Sequence, residues 1–284
     1  MASAAMSPCR PRDMRLSDVY EAQTWLKQIQ SMGPMTAAEP QGELNVRSVR
    51  VAWWLLLGAV VVGVIAGILF TAFPQIDLGT SALFYKGGAF FGKTNPGAEA
   101  LRAAVLLINV LICAAAIAGL GISSILKGPW LGVSAAKWLF LAVCLAVGPG
   151  LVCNYGLKNN WGRARPSQIV EFGGAKAYSL PLTPSDQCSR NCSFVAGEAS
   201  TIYIAFFAGA FIFPNRARKL IAASIAAGSL AGLIRMSQGA HFVSDVIFSG
   251  VLMAITAVVV QLLFVAIGGA NRTETNSDIK KTHA

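Results

Sequence analysis

Three titratable side chains lie in the stretch RMSQGAHFVSD, residues 235–245, between two apolar segments. His241 and Asp245 are four residues apart, so they share one face of a helix that begins near Ala240. An aspartate that accepts from one imidazole nitrogen fixes the tautomer and leaves the other nitrogen free as a nucleophile. Arg235 is placed to hold the anion under attack. Because ionisable groups near a membrane are costly and usually functional, we favour this reading over a histidine that caps a helix beside a chance aspartate.

A second polar cluster, KNNWGRARP at residues 158–166, follows another apolar run. Arginine offers a planar fork for two phosphoryl oxygens and lysine supplies a compact positive charge, so the cluster suits phosphate. The alternative is an anchor at the membrane interface, with Trp161 among the headgroups and the basic side chains reaching toward water. The cluster alone leaves both interpretations open.

The elements that position these clusters are apolar helices. The chain is 55% hydrophobic and 13% charged, whereas soluble domains carry roughly 25% charged residues. Apolar runs of about 20 residues recur, which is the length that crosses a bilayer. We therefore predict an all-α, polytopic bundle of six transmembrane helices over residues 51–268, with tails at 1–50 and 269–284. The predicted spans are Val51–Phe73, Leu101–Ile122, Trp138–Leu157, Phe194–Phe213, Leu220–Ile234 and Val243–Ile267.

The basic residues of the loops predict the orientation. An even number of spans puts both termini on one side, and that side carries most of the Lys and Arg next to the spans, so we predict that both termini are cytoplasmic. The loop between the third and fourth spans is also basic although it lies on the opposite side, which indicates an anionic partner. The net charge of +10 agrees with anionic lipids, and the chain has no nucleic-acid-binding motif.

Two of the six cysteines, Cys188 and Cys192, lie in a polar loop with the sequence CSRNC. They could form a disulfide if that loop faces an oxidising compartment. A zinc site is less favoured, because no further Cys or His is nearby in the sequence.

Two motifs in these clusters carry a family resemblance. Lys158-x6-Arg165-Pro166 and Arg235-x5-His241-x3-Asp245 resemble the first and third motifs of the phosphatidic acid phosphatase type 2 superfamily. The resemblance covers about residues 50–268. It implies a six-helix membrane phosphatase whose active site lies on the outer, periplasmic face of the bacterial inner membrane.

The second motif departs from the family pattern Pro-Ser-Gly-His. The aligned residues are Val195, Ala196, Gly197 and Glu198. By analogy the family serine helps to bind phosphate and the family histidine protonates the leaving oxygen. Ala196 cannot do the first, although Ser193 or Ser200 could; Glu198 could do the second if it were held protonated by burial. A Glu in the context CSF-x-x-GE-x-S is similar to bacterial lipid A phosphatases of this superfamily.

The resemblance implies hydrolysis of a lipid phosphomonoester, without metal or other cofactor. His241 attacks phosphorus and forms a phosphohistidine, Asp245 orients it, and Glu198 donates and later accepts a proton. The phosphate is bound by a set of cations and by backbone N–H groups, and one additional cation contacts a second phosphate or a lipid headgroup. The phosphate-binding residues are Lys158, Arg165, Arg235 and Gly197, and the additional cation is Arg163.

Several alternatives remain at the level of sequence. Lipid A is the favoured substrate, while undecaprenyl pyrophosphate and phosphatidylglycerol phosphate suit the same chemistry. Because Ala196 and Glu198 replace family residues, a non-catalytic phospholipid-binding or transport protein of the same fold also remains possible. The position of the phosphate and the oligomeric state are left open.

Overall fold

The structure is a computed structural model that describes residues 41–282, with side chains for residues 47–268. The described chain is mostly helical. Its longer helices are α1 (Gln41–Ala72), α4 (Pro96–Ile125), α5 (Ala135–Leu145), α7 (Gly197–Ile212), α8 (Ala217–Ser237) and α9 (Val243–Thr282). The shorter elements are α2 (Gln75–Ala82), β1 (Tyr85–Lys86), β2 (Ala89–Phe90), α3 (Phe91–Thr94) and α6 (Lys158–Asn160). Most of the predicted N-terminal tail, and the side chains of the predicted C-terminal tail, lie outside the described residues.

Five helical segments within residues 41–282 are long and apolar enough to cross a membrane. They are Arg47–Ala72, Pro96–Ile125, Ala135–Asn160, Pro214–Ser237 and Val243–Gly268. They correspond to five of the six predicted spans. Large apolar side chains such as Trp54, Ile68 and Ile117 are exposed on them, which fits contact with lipid.

The predicted fourth span is the exception. α7 has only 16 residues, or about 24 Å of helix, because the chain from Phe194 to Ala196 is not helical. Most of its residues are buried, and it packs against α5, α8 and α9. α7 is therefore a short helix at the centre of the bundle, and the structure does not confirm a count of six membrane-length helices.

Close packing around α7 depends on glycine. A Cβ atom placed on Gly228 of α8 would lie 2.5 Å from the ring of Tyr203, and one on Gly148 would lie 2.4 Å from Ile204. Gly148 precedes Pro149 in a π-helical stretch, Ala146–Leu157, that joins α5 to α6. Proline removes a backbone donor from the helix interior, which accounts for the irregular winding of this stretch.

Two loop segments pack together outside the helices, around Phe242. One contains α2, the β1–β2 hairpin and α3; the other runs from Trp161 to Ala196. Their shared apolar cluster consists of Phe90, Ala164, Ile169, Phe172 and Phe242. Cys188 and Cys192 form a disulfide in the second segment. Because Phe242 follows His241 directly, this cluster fixes the loop that carries the predicted nucleophile.

Candidate active site

His241 lies in the short connection between α8 and α9 and is 2% exposed. Its Nδ1 is 2.7 Å from the carbonyl oxygen of Ser193. A carbonyl only accepts hydrogen bonds, so Nδ1 carries the proton and donates it to Ser193. The lone pair is then on Nε2, which is the tautomer that nucleophilic attack requires.

The protonation of His241 also fits this role. Burial lowers the pKa of His241 to about 4, although the nearby Asp245 carboxylate acts in the opposite direction. Lys158 and Arg165 contribute to the lowering, because positive charges nearby disfavour a charged imidazole. The imidazole is therefore neutral at pH 7.

Asp245 contacts His241 less directly than the spacing predicts. Its Oδ2 is 3.8 Å from Nδ1, which is beyond hydrogen-bond distance, and the Ser193 carbonyl takes the expected place of the carboxylate. Oδ2 instead accepts from the Ser193 hydroxyl at 2.5 Å and from the Phe242 backbone N–H at 2.9 Å. Asp245 thus holds both the residue that orients the imidazole and the residue next to it, so it positions His241 through the backbone.

Arg163 corrects a sequence-based prediction. It was expected to contact a second phosphate or a lipid headgroup, but its side chain is 0% exposed. Its guanidinium donates to Asp245 Oδ1 at 2.5 Å and to Asp77 Oδ2 at 2.8 Å, and its Nε donates to the Ser179 carbonyl. These carboxylates raise the pKa of Arg163, against the desolvation that is the largest single effect. Arg163 is a buried structural cation and is not available to a headgroup.

Asp77, from α2, completes this buried network. It is 0% exposed and accepts from the Ser244 backbone N–H at 3.0 Å and the Ser244 hydroxyl at 2.6 Å. It therefore links α2 to the first turn of α9, which carries Asp245. Asp77 was not among the residues predicted from the sequence; the available signal was a single acidic residue shortly after the first apolar span.

The structure brings three predicted phosphate ligands together around the first turn of α7. A Cβ atom on Gly197 would lie 3.2 Å from Cε and 3.4 Å from Nζ of Lys158, so the glycine leaves room for that side chain. Lys158 lies within electrostatic range of Arg165, Arg235 and Glu198. The first turn of α7 has no side-chain cap, so its N–H groups can add to the binding of an anion.

Arg165 is held by the loop that contains the disulfide. Its Nη2 donates to the backbone carbonyl of Asn191 at 2.8 Å and to the Asn191 side-chain oxygen at 3.0 Å. Burial lowers the pKa of Arg165, while Asp245 and Glu198 counteract this effect. Because Asn191 directly precedes Cys192, the disulfide restrains the residue that orients this guanidinium.

Glu198 lies among guanidinium groups. Its Oε1 is 3.4 Å from Arg235 Nε and 3.4 Å from Arg102 Nε. Its backbone carbonyl accepts from the Asn109 side chain at 3.1 Å, which ties α7 to α4. Arg235 also donates to Gln238 Oε1, and neither Arg102 nor Gln238 was found from the sequence.

Neither serine proposed in place of the family serine is free for phosphate. Ser193 and Ser200 are both 0% exposed. The Ser193 hydroxyl donates to Asp245, and the Ser200 hydroxyl donates to the Ala196 carbonyl at 2.9 Å. Within the part of the chain that the structure describes, no group of three or more His, Cys, Asp or Glu could hold a metal ion.

The site combines a buried neutral imidazole with several nearby cations, on a bundle of apolar helices. This arrangement is typical of a membrane protein that acts on a phosphate ester. The chain matches the PAP2 superfamily over residues 137–267. It is 31% identical over 242 residues to a lipid A 4'-phosphatase of Rhizobium leguminosarum, covering 80% of this chain and 97% of that protein. The chain belongs to the PAP2 superfamily and resembles its lipid A phosphatases. It is a phosphatase, a phosphoric monoester hydrolase.

Two further relatives carry similar names. A lipid A 4'-phosphatase of Francisella tularensis subsp. novicida is 48% identical over 128 residues, which cover 44% of this chain and 56% of that protein. A lipid A 1-phosphatase of Rhizobium etli is 33% identical over 134 residues, covering 46% of this chain and 50% of that protein. No solved structure matches the chain. The apolar helices and these relatives fit a multi-pass protein of the bacterial inner membrane.

Proposed function

We propose that this protein removes a phosphate from lipid A, by a phosphohistidine at His241. The observation that carries the proposal is the neutral, buried His241 with its Nδ1 bonded to Ser193, next to Lys158 and Arg165. The relatives matched over most of their length are lipid A 4'-phosphatases, which favours the 4'-phosphate as the group removed.

In the first step, Nε2 of His241 attacks phosphorus while the bond from phosphorus to the sugar oxygen breaks. Lys158, Arg165 and Arg235 compensate the charge on the phosphoryl oxygens, and the N–H groups of the first turn of α7 add donors. Nδ1 keeps its proton and continues to donate it to the Ser193 carbonyl oxygen, and the imidazolium that forms is stabilised by the nearby Asp245 carboxylate.

Glu198 exchanges the protons of both steps. When the phosphate replaces it at the guanidinium groups, the Glu198 carboxylate takes up a proton from solvent and donates it to the departing sugar oxygen; in the second step the carboxylate accepts a proton from the water that attacks the phosphohistidine and releases inorganic phosphate. Its Oε2 is buried and has no hydrogen-bond partner within the described residues, which leaves that oxygen for proton exchange. Before substrate binds, its Oε1 is engaged by Arg102 and Arg235.

We further propose six membrane crossings, with the short α7 as the fourth, both termini in the cytoplasm and the site facing the periplasm. The lipid A relatives and the disulfide between Cys188 and Cys192 support this orientation, since disulfides persist in oxidising compartments. A cysteine introduced at the exposed Lys176 should react with an impermeant thiol reagent in intact spheroplasts, whereas one at Arg218 should not. The reverse labelling would overturn the orientation.

The activity is tested by mass spectrometry of lipid A incubated with the purified protein. Wild type should lower the mass of lipid A by about 80 Da, the mass of the phosphoryl group transferred to histidine. His241→Ala should leave the mass unchanged, and His283→Ala, which alters the chain's other histidine, should behave as wild type. If wild type leaves lipid A intact, the substrate proposal fails.

A further inference from the structure

Two buried polar atoms at the site make no hydrogen bond within the described residues: Oε2 of Glu198, and Nε of Arg235, whose 3.4 Å contact with Glu198 Oε1 is an ion pair without hydrogen-bond geometry. Buried polar groups are nearly always paired, so each such atom requires an explanation. The Glu198 side chain is 19% exposed and that of Arg235 is 10% exposed, so both lie just inside the site. A site built to take up a further polar group accounts for both atoms that lack a hydrogen bond.

Arg102 lies beside Glu198 and Arg235, although it belongs to none of the three motifs. It comes from the first part of α4, a helix whose N-terminus is capped by the Asn95 side chain. Its Nε is 3.4 Å from Glu198 Oε1, the oxygen that also faces Arg235, and its Nη1 is 3.7 Å from Glu99. The Arg102 side chain is one-third exposed, so its guanidinium can be reached from outside.

We propose that Arg102 is a further phosphate-binding residue, and that Glu198 occupies the guanidiniums of Arg102 and Arg235 until a phosphate dianion takes its place. A carboxylate and a phosphoryl group bind the same face of a guanidinium, so one can replace the other. The inference rests on the proposed function in one respect, that the ligand is a phosphate ester.

The charges around the site favour a dianion. Lys158, Arg165, Arg235 and Arg102 are the positive groups close to one another, and Glu198 and Glu99 are the carboxylates that contact them. The net charge of these groups is two positive charges, which nearly balances the negative charge of about 1.5 to 2 on a phosphomonoester at neutral pH.

The buried network behind His241 makes Arg102 more necessary. Asp77 and Asp245 share the single cation Arg163, so this network carries one net negative charge. Without Arg102, the cations and carboxylates that surround the ligand would leave one positive charge, and the negative charge of this network would offset it. Arg102 is therefore the residue that favours a terminal monoester over a singly charged phosphodiester of the surrounding lipids.

A matched pair of soluble ligands tests this selectivity. Methyl phosphate is a dianion near pH 7.5 and dimethyl phosphate is a monoanion. Dissociation constants follow from the unfolding temperature of the purified protein as a function of ligand concentration. Arg102→Gln should weaken the binding of methyl phosphate about ten-fold and the binding of dimethyl phosphate by no more than about two-fold, as expected for loss of a charge-assisted contact. Arg102→Lys should recover part of the preference.

Glu198→Gln supplies a readout that a merely structural ion pair would not give. If Glu198 competes with the ligand, its neutral variant should bind methyl phosphate more tightly than wild type does, the opposite direction to Arg102→Gln. Lys93→Gln removes an exposed charge that shortly precedes α4 and should change neither constant. Because binding is measured without turnover, a protein that discriminates between the ligands but leaves lipid A intact would refute the substrate and retain the inference.

Three results would overturn the inference. One is an equal loss of affinity for both ligands in Arg102→Gln, and another is weaker binding of methyl phosphate in Glu198→Gln. The third is a wild-type protein that binds methyl phosphate no more tightly than dimethyl phosphate.

Discussion

Replacement of Asp77 by alanine tests whether a residue far from the motifs supports the site. Asp77 and Arg163 form a fully buried ion pair, and the same carboxylate binds the backbone and hydroxyl of Ser244. Removing one partner of a buried pair costs about 3–5 kcal/mol, because the remaining charge is left uncompensated. Arg163 retains Asp245 here, so the expected loss is near 3 kcal/mol in the free energy of unfolding.

A loss of this size is measurable as a shift in thermal unfolding. At about 2–4 °C for each kcal/mol in a chain of this length, the unfolding temperature in detergent should fall by about 6–12 °C. At temperatures below the unfolding temperature, the turnover number should be about ten-fold lower than in wild type, since the first turn of α9 loses its contact with α2. Glu171→Ala removes an exposed carboxylate from the loop segment that carries Arg163 and should change neither quantity.

A double-mutant cycle separates the ion pair from general disruption. In an Arg163→Met background, Asp77→Ala should cost less than about 1 kcal/mol, because the carboxylate has already lost its cation. If the two substitutions are additive, or if Asp77→Ala alone leaves the unfolding temperature within 2 °C of wild type, the buried network does not support the site as described.

Other predictions concern protonation, positioning and the disulfide. In a histidine-selective NMR titration, the signal that is lost in His241→Gln should titrate near pH 4. This pKa lies below the value of about 6.5 in the unfolded chain, so the unfolded chain binds the proton first. The free energy of unfolding should therefore fall as the pH drops from 6.5 to 4. A midpoint near 6.5 would contradict the burial of the ring. Asp245→Asn should lower kcat about 100- to 1,000-fold with little change in KM, and an unchanged kcat would exclude its positioning role. Serine at both Cys188 and Cys192 should raise KM several-fold by loosening the loop that holds Arg165, and an unchanged KM would show that the loop is ordered without the bond.

The fold could be predicted to the extent that hydropathy determines it. Apolar runs locate five membrane-length helices to within a few residues. They do not reveal that the chain from Phe194 to Ala196 is not helical and leaves α7 too short, because phenylalanine, valine and alanine are as apolar in a loop as in a helix. Burial of that loop depends on contacts with the rest of the bundle, which hydropathy does not encode.

The site divides in the same way. Motif spacing identifies His241 and Asp245, whose separation is a local property of the chain. The partners of Asp245 come from far away: Arg163 is 82 residues distant, and Asp77 reaches the same guanidinium from the other side. The spacing of the motif does not predict that Arg163 is buried, because the sequence of a polar loop is the same whether its arginine contacts a headgroup or two carboxylates.

Rapid quenching during turnover can detect the phosphohistidine that the proposed mechanism requires. Wild-type protein is mixed with lipid A labelled in its 4'-phosphate, denatured within milliseconds in alkali, and digested for mass spectrometry. A phosphoryl group is expected on Nε2 of His241, present transiently during turnover and absent in His241→Gln. Continued release of phosphate with no phosphoryl group on His241, or with the group on another residue, would contradict the mechanism.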